Sequence, residues 1–105
     1  METVKKKDLG EIQKTISELS NEISRKIIFS IISKPKSGVE ISNDTKISQS
    51  TVYQKILILK DLSLVQISHK ETTKRGRTIE FFKSNILKAT VIIDKEQPEM
   101  ILVKN

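Results

Sequence analysis

The stretch "ISQSTVYQKILILKDLSLV", residues 47–65, decides how this chain is read. Ser48 is a good helix N-cap, and apolar residues then recur three and four apart at Val52, Ile56 and Leu59. That spacing predicts a helix over 49–61, clamped on one side. Ile58 and Leu62 are expected to help the inward stripe, and Leu57 to fall on the outer flank. The side chains left at the helix start are Gln49, Ser50, Thr51, Tyr53, Gln54 and Lys55. They form a polar rim that faces a partner. After Leu64 the period changes. Val65 and Ile67 alternate with Gln66 and Ser68, so 64–69 reads as a strand. "HKETTKRGR" (69–77) is a charged loop bending at Gly76, and "TIEFFKS" (78–84) returns as a second strand.

Upstream, residues 1–7 read as a frayed, charged end. From Asp8, apolar residues Leu9, Ile12, Ile16, Leu19 and Ile23 fall three or four apart, a helical stripe over about 8–19. The stripe fits a helix docked on its own domain or one that packs against its mate in a dimer. Asn21 is a second N-cap with Glu22 in the first turn. A helix from about 22 to 33 should bury Ile23, Ile27, Ile28, Ile31 and Ile32. Pro35 stops it, and "KPKSG" reads as a loop. A short helix over 39–45 follows, with Val39 and Ile41 pointing inward. Downstream, "KATVIID" (88–94), a turn at "KEQPE" and "MILV" read as a second hairpin over 88–104, the alternative being a short helix near 84–89.

Composition narrows the function. At 105 residues the chain is one domain long. The net charge is +6 and the pI about 9.6, which draws a small domain to polyanions. Aromatic residues make up 4%, too few for a platform that stacks single-stranded bases. There is no cysteine and one histidine, His69, so thiolate metal sites and histidine-based catalysis lack material. Asp61, Asp94, Glu96 and Glu99 have no acid–base spacing. The expectation is a non-enzyme without a cofactor. No apolar run reaches the roughly 18 residues of a membrane helix, and the start is not a secretory signal. The expected compartment is the cytoplasm.

Two short helices joined by a tight turn, then a basic hairpin, make a helix-turn-helix with a wing. The fold expected is therefore α+β, a winged helix-turn-helix with a C-terminal β-hairpin extension. The major groove of B-form DNA admits one helix and is read from its first turns. Gln49 and Gln54 carry amides that match an adenine edge. The hydroxyls of Ser48, Ser50 and Thr51 reach a base or a phosphate, and Lys55 a phosphate on the flank. Tyr53 either binds phosphate, lies on a sugar, or shields the helix. The wing supplies Lys70, Lys74, Arg75 and Arg77, offset by Glu71. Arg75 or Arg77 can enter a minor groove. His69, at the wing's base, reads as structural or solvated.

"LSNEISRKIIFSIIS", "ISQSTVYQKILILKDLSLV" and "KRGRTIEFF", in that order and spacing, resemble winged helix-turn-helix transcription regulators of the ArsR-like type, in particular the small archaeal ones. The resemblance covers about residues 9–83, and its middle motif is the most specific part. It implies a homodimer on a pseudo-palindromic duplex, with the 48–61 helix in the major groove and the 69–77 loop as wing. The family's base-reading residues fall on Gln49, Ser50, Thr51, Tyr53 and Gln54, and its wing cations on Lys74, Arg75 and Arg77. Two glycines of the pattern are replaced here, by Lys46 and Ser63; at Lys46 either the lysine takes a left-handed backbone or the turn is reshaped. Metal sensing in the family uses cysteines, so it is not inherited. Many members end in a dimerising helix, whereas this chain ends in strands.

The expected partners are double-stranded DNA and a second copy of the chain, with no membrane and no indicated effector. Dimer contacts are expected at Leu9, Ile12, Ile16 and Leu19, or from the C-terminal strands. The competing reading is a winged-helix module that binds protein, favoured by the outward Leu57.

Overall fold

The computed structural model describes residues 2–93 and 98–105. Its elements run β1 (Thr3–Lys6), α1 (Leu9–Ser20), α2 (Glu22–Ser30), β2 (Lys36–Ser37), α3 (Gly38–Thr45), α4 (Gln49–Asp61), β3 (Val65–Thr72), β4 (Thr78–Ser84), β5 (Ile86–Ile92) and β6 (Glu99–Lys104). The strands form two antiparallel sheets, ordered β2-β4-β3 and β1-β6-β5. Three helices ahead of α4, α4 itself and the β3–β4 hairpin make a winged helix-turn-helix of the α+β class. The β5–β6 hairpin is its C-terminal extension.

Local chemistry sets the helix starts. Asp8 accepts from the Glu11 N–H at 2.8 Å, and Asn21 from the Ser24 N–H at 3.1 Å. Ser37 and Glu40 form a reciprocal capping box at the head of α3. Ser48 caps α4. The helix ends use two left-handed residues that are not glycine, Lys46 (φ 64°) and Ser63 (φ 60°). At Ser63 the N–H reaches the Lys60 carbonyl and the Leu64 N–H reaches Leu59, each at 2.9 Å. This is a Schellman closure, with Leu59 and Leu64 both fully buried beneath it. Of the two readings open at Lys46, the lysine takes the left-handed backbone, and Ser63 does the same.

The core is one cluster. Ile12 from α1, Ile27 and Ile28 from α2, and Ile41 from α3 meet Val52, Ile56 and Leu59 from α4. Phe82, Met100 and Leu102 join it from the two sheets. Each such side chain contributes about 1.5–3 kcal/mol by burial. The two sheets are tied together through Asn85 and Asn105. Asn85 Nδ2 donates to the Ser63 carbonyl, and Asn105 Nδ2 to the carbonyls of Ile32 and Ser84, all at 2.9 Å.

Several expectations need correction. Residues 3–6 are not frayed. They form the edge strand β1, paired from Thr3↔Val103 to Lys6↔Met100, because the apolar strand β6 takes a neighbour on each side. Helix α2 ends at Ser30, not 33, and the carbonyl of Ile31 beyond it accepts from Ser84 N–H at 3.0 Å. Lys36 and Ser37, read as loop, pair with β4. Strand β3 runs on to Thr72, because the projecting hairpin is wet on both faces and shows no apolar alternation there. The tail is a hairpin without a helix near 84–89. Its proposed turn at 95–99 and the strand end at Asp94 fall largely outside the described residues, as does Met1.

Burial also departs in places. Ile23 is exposed, while Ser24 takes the inward place. Val39 is exposed because α3 starts at Gly38, which puts positions 38 and 41 inward. Ile58 is exposed, since it lies roughly 120° round the helix from the Val52–Ile56–Leu59 stripe. Of the supposed dimer stripe, Ile12 is fully buried in its own chain, and Ile16 and Leu19 pack against the same core. Only Leu9 stays exposed.

Two substitutions check this account. Ser63→Gly relieves the left-handed strain of a Cβ, offset in part by unfolded-state entropy, for a net gain of about 0.5–1 kcal/mol. Thermal unfolding should show a rise of a few degrees. Thr15 is buried and its hydroxyl has no hydrogen-bond partner among the described residues. Thr15→Val should therefore stabilise by about 1 kcal/mol in urea titration; a loss of stability would mean the hydroxyl is satisfied.

Candidate nucleic-acid interface

The stripe Val52, Ile56 and Leu59 is buried, so α4 cannot rotate about its own axis without exposing it. That fixes which side chains face out. Gln49, Ser50, Tyr53 and Gln54 are exposed on the N-terminal half of α4, with Ser48 ahead of them. Thr51 is half-buried. The Ser48 hydroxyl accepts from the Thr51 N–H at 3.4 Å and lies 2.9 Å from Thr51 Oγ1. These two hydroxyls therefore serve the helix start first. Among the described residues, Gln49, Ser50, Tyr53 and Gln54 make no side-chain hydrogen bond beyond a 3.4 Å Ser48–Ser50 contact.

Lys55 departs from expectation. Its ammonium turns back to α1 and donates to Glu18 Oε1 at 3.2 Å, with the two side chains only 20% and 15% exposed. The same Glu18 oxygen accepts from Ser24 Oγ at 2.9 Å. Glu18 thus ties α1, α2 and α4 together, and Lys55 is a tether rather than a free flank cation. Nothing local in the sequence signals this pair.

Tyr53 lies on the start of α3. A Cβ added at Gly38 would overlap the tyrosine ring and hydroxyl, so the ring rests on bare backbone there. Part of the ring remains exposed. It borders a cleft of about 540 Å³ between the helix-turn-helix and the wing, whose walls include Val39, Arg77 and Ile79. The exposed Val39 and Ile79 were not anticipated as site residues. Of the two, only Val39 is expected from the sequence to point inward.

The wing is a tight hairpin. Its ladder ends at Thr72↔Thr78. The turn closes with Gly76 N–H to the Thr73 carbonyl at 2.9 Å and Thr73 N–H to the Arg77 carbonyl at 2.8 Å. Gly76 has φ 82°, the left-handed position of a three-residue hairpin loop. Lys70, Lys74, Arg75 and Arg77 are all exposed, and none is ion-paired among the described residues. Lys70 faces Glu80 across the ladder, which moderates its charge more than that of the three cations at the tip. His69 stacks on Phe81 with ring centroids 4.6 Å apart and planes 7° from parallel. This stacking braces the wing's base, the structural one of the two readings open for His69.

The rim of α4 and the basic hairpin are thus held by one core, with the cleft between them. No helix among the described residues is long and apolar enough to cross a membrane. No protein-family model matches the chain, and no curated protein does. Among solved structures the chain is similar to NolR from Sinorhizobium fredii, whose fold is a winged helix. The two share 20% identity over 71% of this chain and 69% of NolR, with a TM-score of 0.58. At that identity the likeness carries the fold.

The chain holds one tyrosine and no tryptophan, so its intrinsic emission reports on Tyr53 alone. Gly38→Ala should push the ring off α3 and raise its quenching by acrylamide, with the far-ultraviolet circular dichroism unchanged. Unaltered quenching would show that the ring does not rest on Gly38.

Proposed function

We propose that the protein is a sequence-specific, double-stranded DNA-binding transcriptional regulator that acts as a homodimer. The observation that carries this reading is the outward, uncommitted rim of α4 beside unpaired wing cations on one scaffold. Gln49 and Gln54 present amides suited to a base edge, and an adenine offers a matching donor and acceptor. Ser50 serves a base or phosphate. Ser48 and Thr51, occupied at the helix start, leave their neighbouring N–H groups to favour a phosphate. Lys74, Arg75 and Arg77 neutralise backbone charge and release counterions, and the tip is narrow enough to approach a minor groove. Tyr53, packed on Gly38 with one edge exposed, positions the helix start and offers its hydroxyl to a phosphate. The ArsR-like order of the sequence motifs supports the same assignment. Such a regulator works in the cytoplasm and needs no cofactor.

A second reading has one observation in its favour. Leu57 is 66% exposed and shares a groove with Ile58 between α1 and α4, a surface that a protein partner could cover. Duplex binding at low salt that is indifferent to Leu57→Ser separates the two.

On a duplex selected from a random pool, Gln54→Ala should cost about 1–3 kcal/mol and relax preference at one position. Lys74→Ala should weaken selected and random DNA alike and lower the salt slope by about 1. Lys55→Ala should leave that slope unchanged, because its ammonium is held by Glu18. Fluorescence anisotropy over a salt series reads all three. Equal losses for Gln54→Ala on selected and random DNA would remove its base-reading role.

A further inference from the structure

The geometry points to the outer edge of β5 as the surface through which two copies of this chain pair, antiparallel and centred on Thr90. This rests on the two-fold assembly proposed above and names its interface.

The α1 stripe has little left to offer a partner. Ile12 is buried, Ile16 and Leu19 are packed on their own core, and only Leu9 is free. The sheet edges are more informative. An open edge presents unpaired backbone groups and is usually guarded by charge, brevity or a bulge. The β1 edge carries Lys5 and Lys6, with Lys7 next to them. Strand β2 is two residues long. The β3 edge carries His69, Lys70 and Glu71 and is broken by a register shift after Ile67. Strand β5 has none of this from Ala89 onward. Its ladder with β6 is regular from Lys88 to Ile92, and Lys88 is its one charge. Among the described residues no strand pairs with its outer edge.

Antiparallel pairing of one strand with its own copy is self-complementary, as a two-fold interface requires. Centring it on Thr90 sets Ala89 against Val91 and Lys88 against Ile92, and brings Leu87, at the register shift, near Ile93 just past the strand end. Ala89 and Val91 share the face of Met100 and Leu102, so that face becomes an unbroken aliphatic row across both copies. On the other face Thr90 meets Thr90, and the two Lys88 side chains stand four positions apart, about 13 Å. The same operation centred on Lys5 would set that lysine against its copy, while Lys6 is turned to Glu11 and Lys7 to Glu99. Charge therefore selects β5 over β1.

The register also supplies a knob and a hole. Ile93 is 80% exposed, the most exposed large apolar side chain described. Just past the strand end, it lies toward the register shift at Leu87 of the other copy and a mainly apolar groove of about 260 Å³ between α2 and β5, which Arg25 and Lys88 also border. Ile28 and Ile86 lie at its base, and Phe29, 65% exposed, stands at its rim. Covering this groove extends the contact beyond a bare strand edge, toward the roughly 800 Å² per partner of a stable pair.

The chain has no cysteine, so single-cysteine variants give a clean test. Thr90→Cys, oxidised or treated with a short bis-maleimide, should run as a covalent dimer on a non-reducing gel. Leu9→Cys should stay single. The double variant Val91→Lys/Ile93→Lys should sediment as a monomer where the unmodified protein is a dimer. Its dimer dissociation constant should rise at least a hundredfold, with circular dichroism intact. If the unmodified protein is monomeric throughout, the two-fold assembly fails and this interface with it. If it is a dimer that survives Val91→Lys/Ile93→Lys and cross-links through Leu9→Cys, the assembly stands and the β5 interface is overturned.

Discussion

The burial of Val52, Ile56 and Leu59 is the constraint on which the molecule depends. Three aliphatic side chains spaced over two turns of α4 lock it against Ile12, Ile27, Ile28 and Ile41. Turning the helix would bring these side chains into water, at about 1.5–3 kcal/mol each. The polar rim gains a fixed direction from that cost. Its side chains need not be ordered themselves, because the stripe beneath them is. The wing depends on the same core through Phe82 and Val65, so helix and hairpin are held in one frame.

A second constraint is polar. Glu18 receives Ser24 and Lys55 through one oxygen, and so connects three helices. Desolvation offsets much of the Coulombic gain of such a partly buried pair, so its net contribution to stability is small. The tether sits on the flank of α4 away from the wing cleft.

Much of this was legible because its causes are local. The cap, stripe and stop of α4 all lie within residues 48–64, and its bounds follow from them. The left-handed turn at Lys46 was one of two readings open from a motif in which glycine is usual. What was not legible depends on partners distant in sequence. Residues 3–6 become a strand only because β6 is there to pair with them. Lys55 is bound by a residue 37 positions upstream, so an amphipathic pattern shows a flank cation and no more. The ring of Tyr53 rests on Gly38, a glycine that reads simply as loop. Strand β3 beyond His69 carries no apolar alternation, since its hairpin arm has no dry face. Ile12 and Leu9 share one stripe, and only packing separates the buried residue from the free one.

Amide hydrogen exchange, measured with and without a duplex selected from a random pool, tests the central claim most directly. Contact through the rim and wing should slow exchange at residues 48–55 and 73–77 together, while α2 and β5 stay unchanged. Protection confined to α1 and the outer flank of α4, with 48–55 and 73–77 unaffected, would contradict the account.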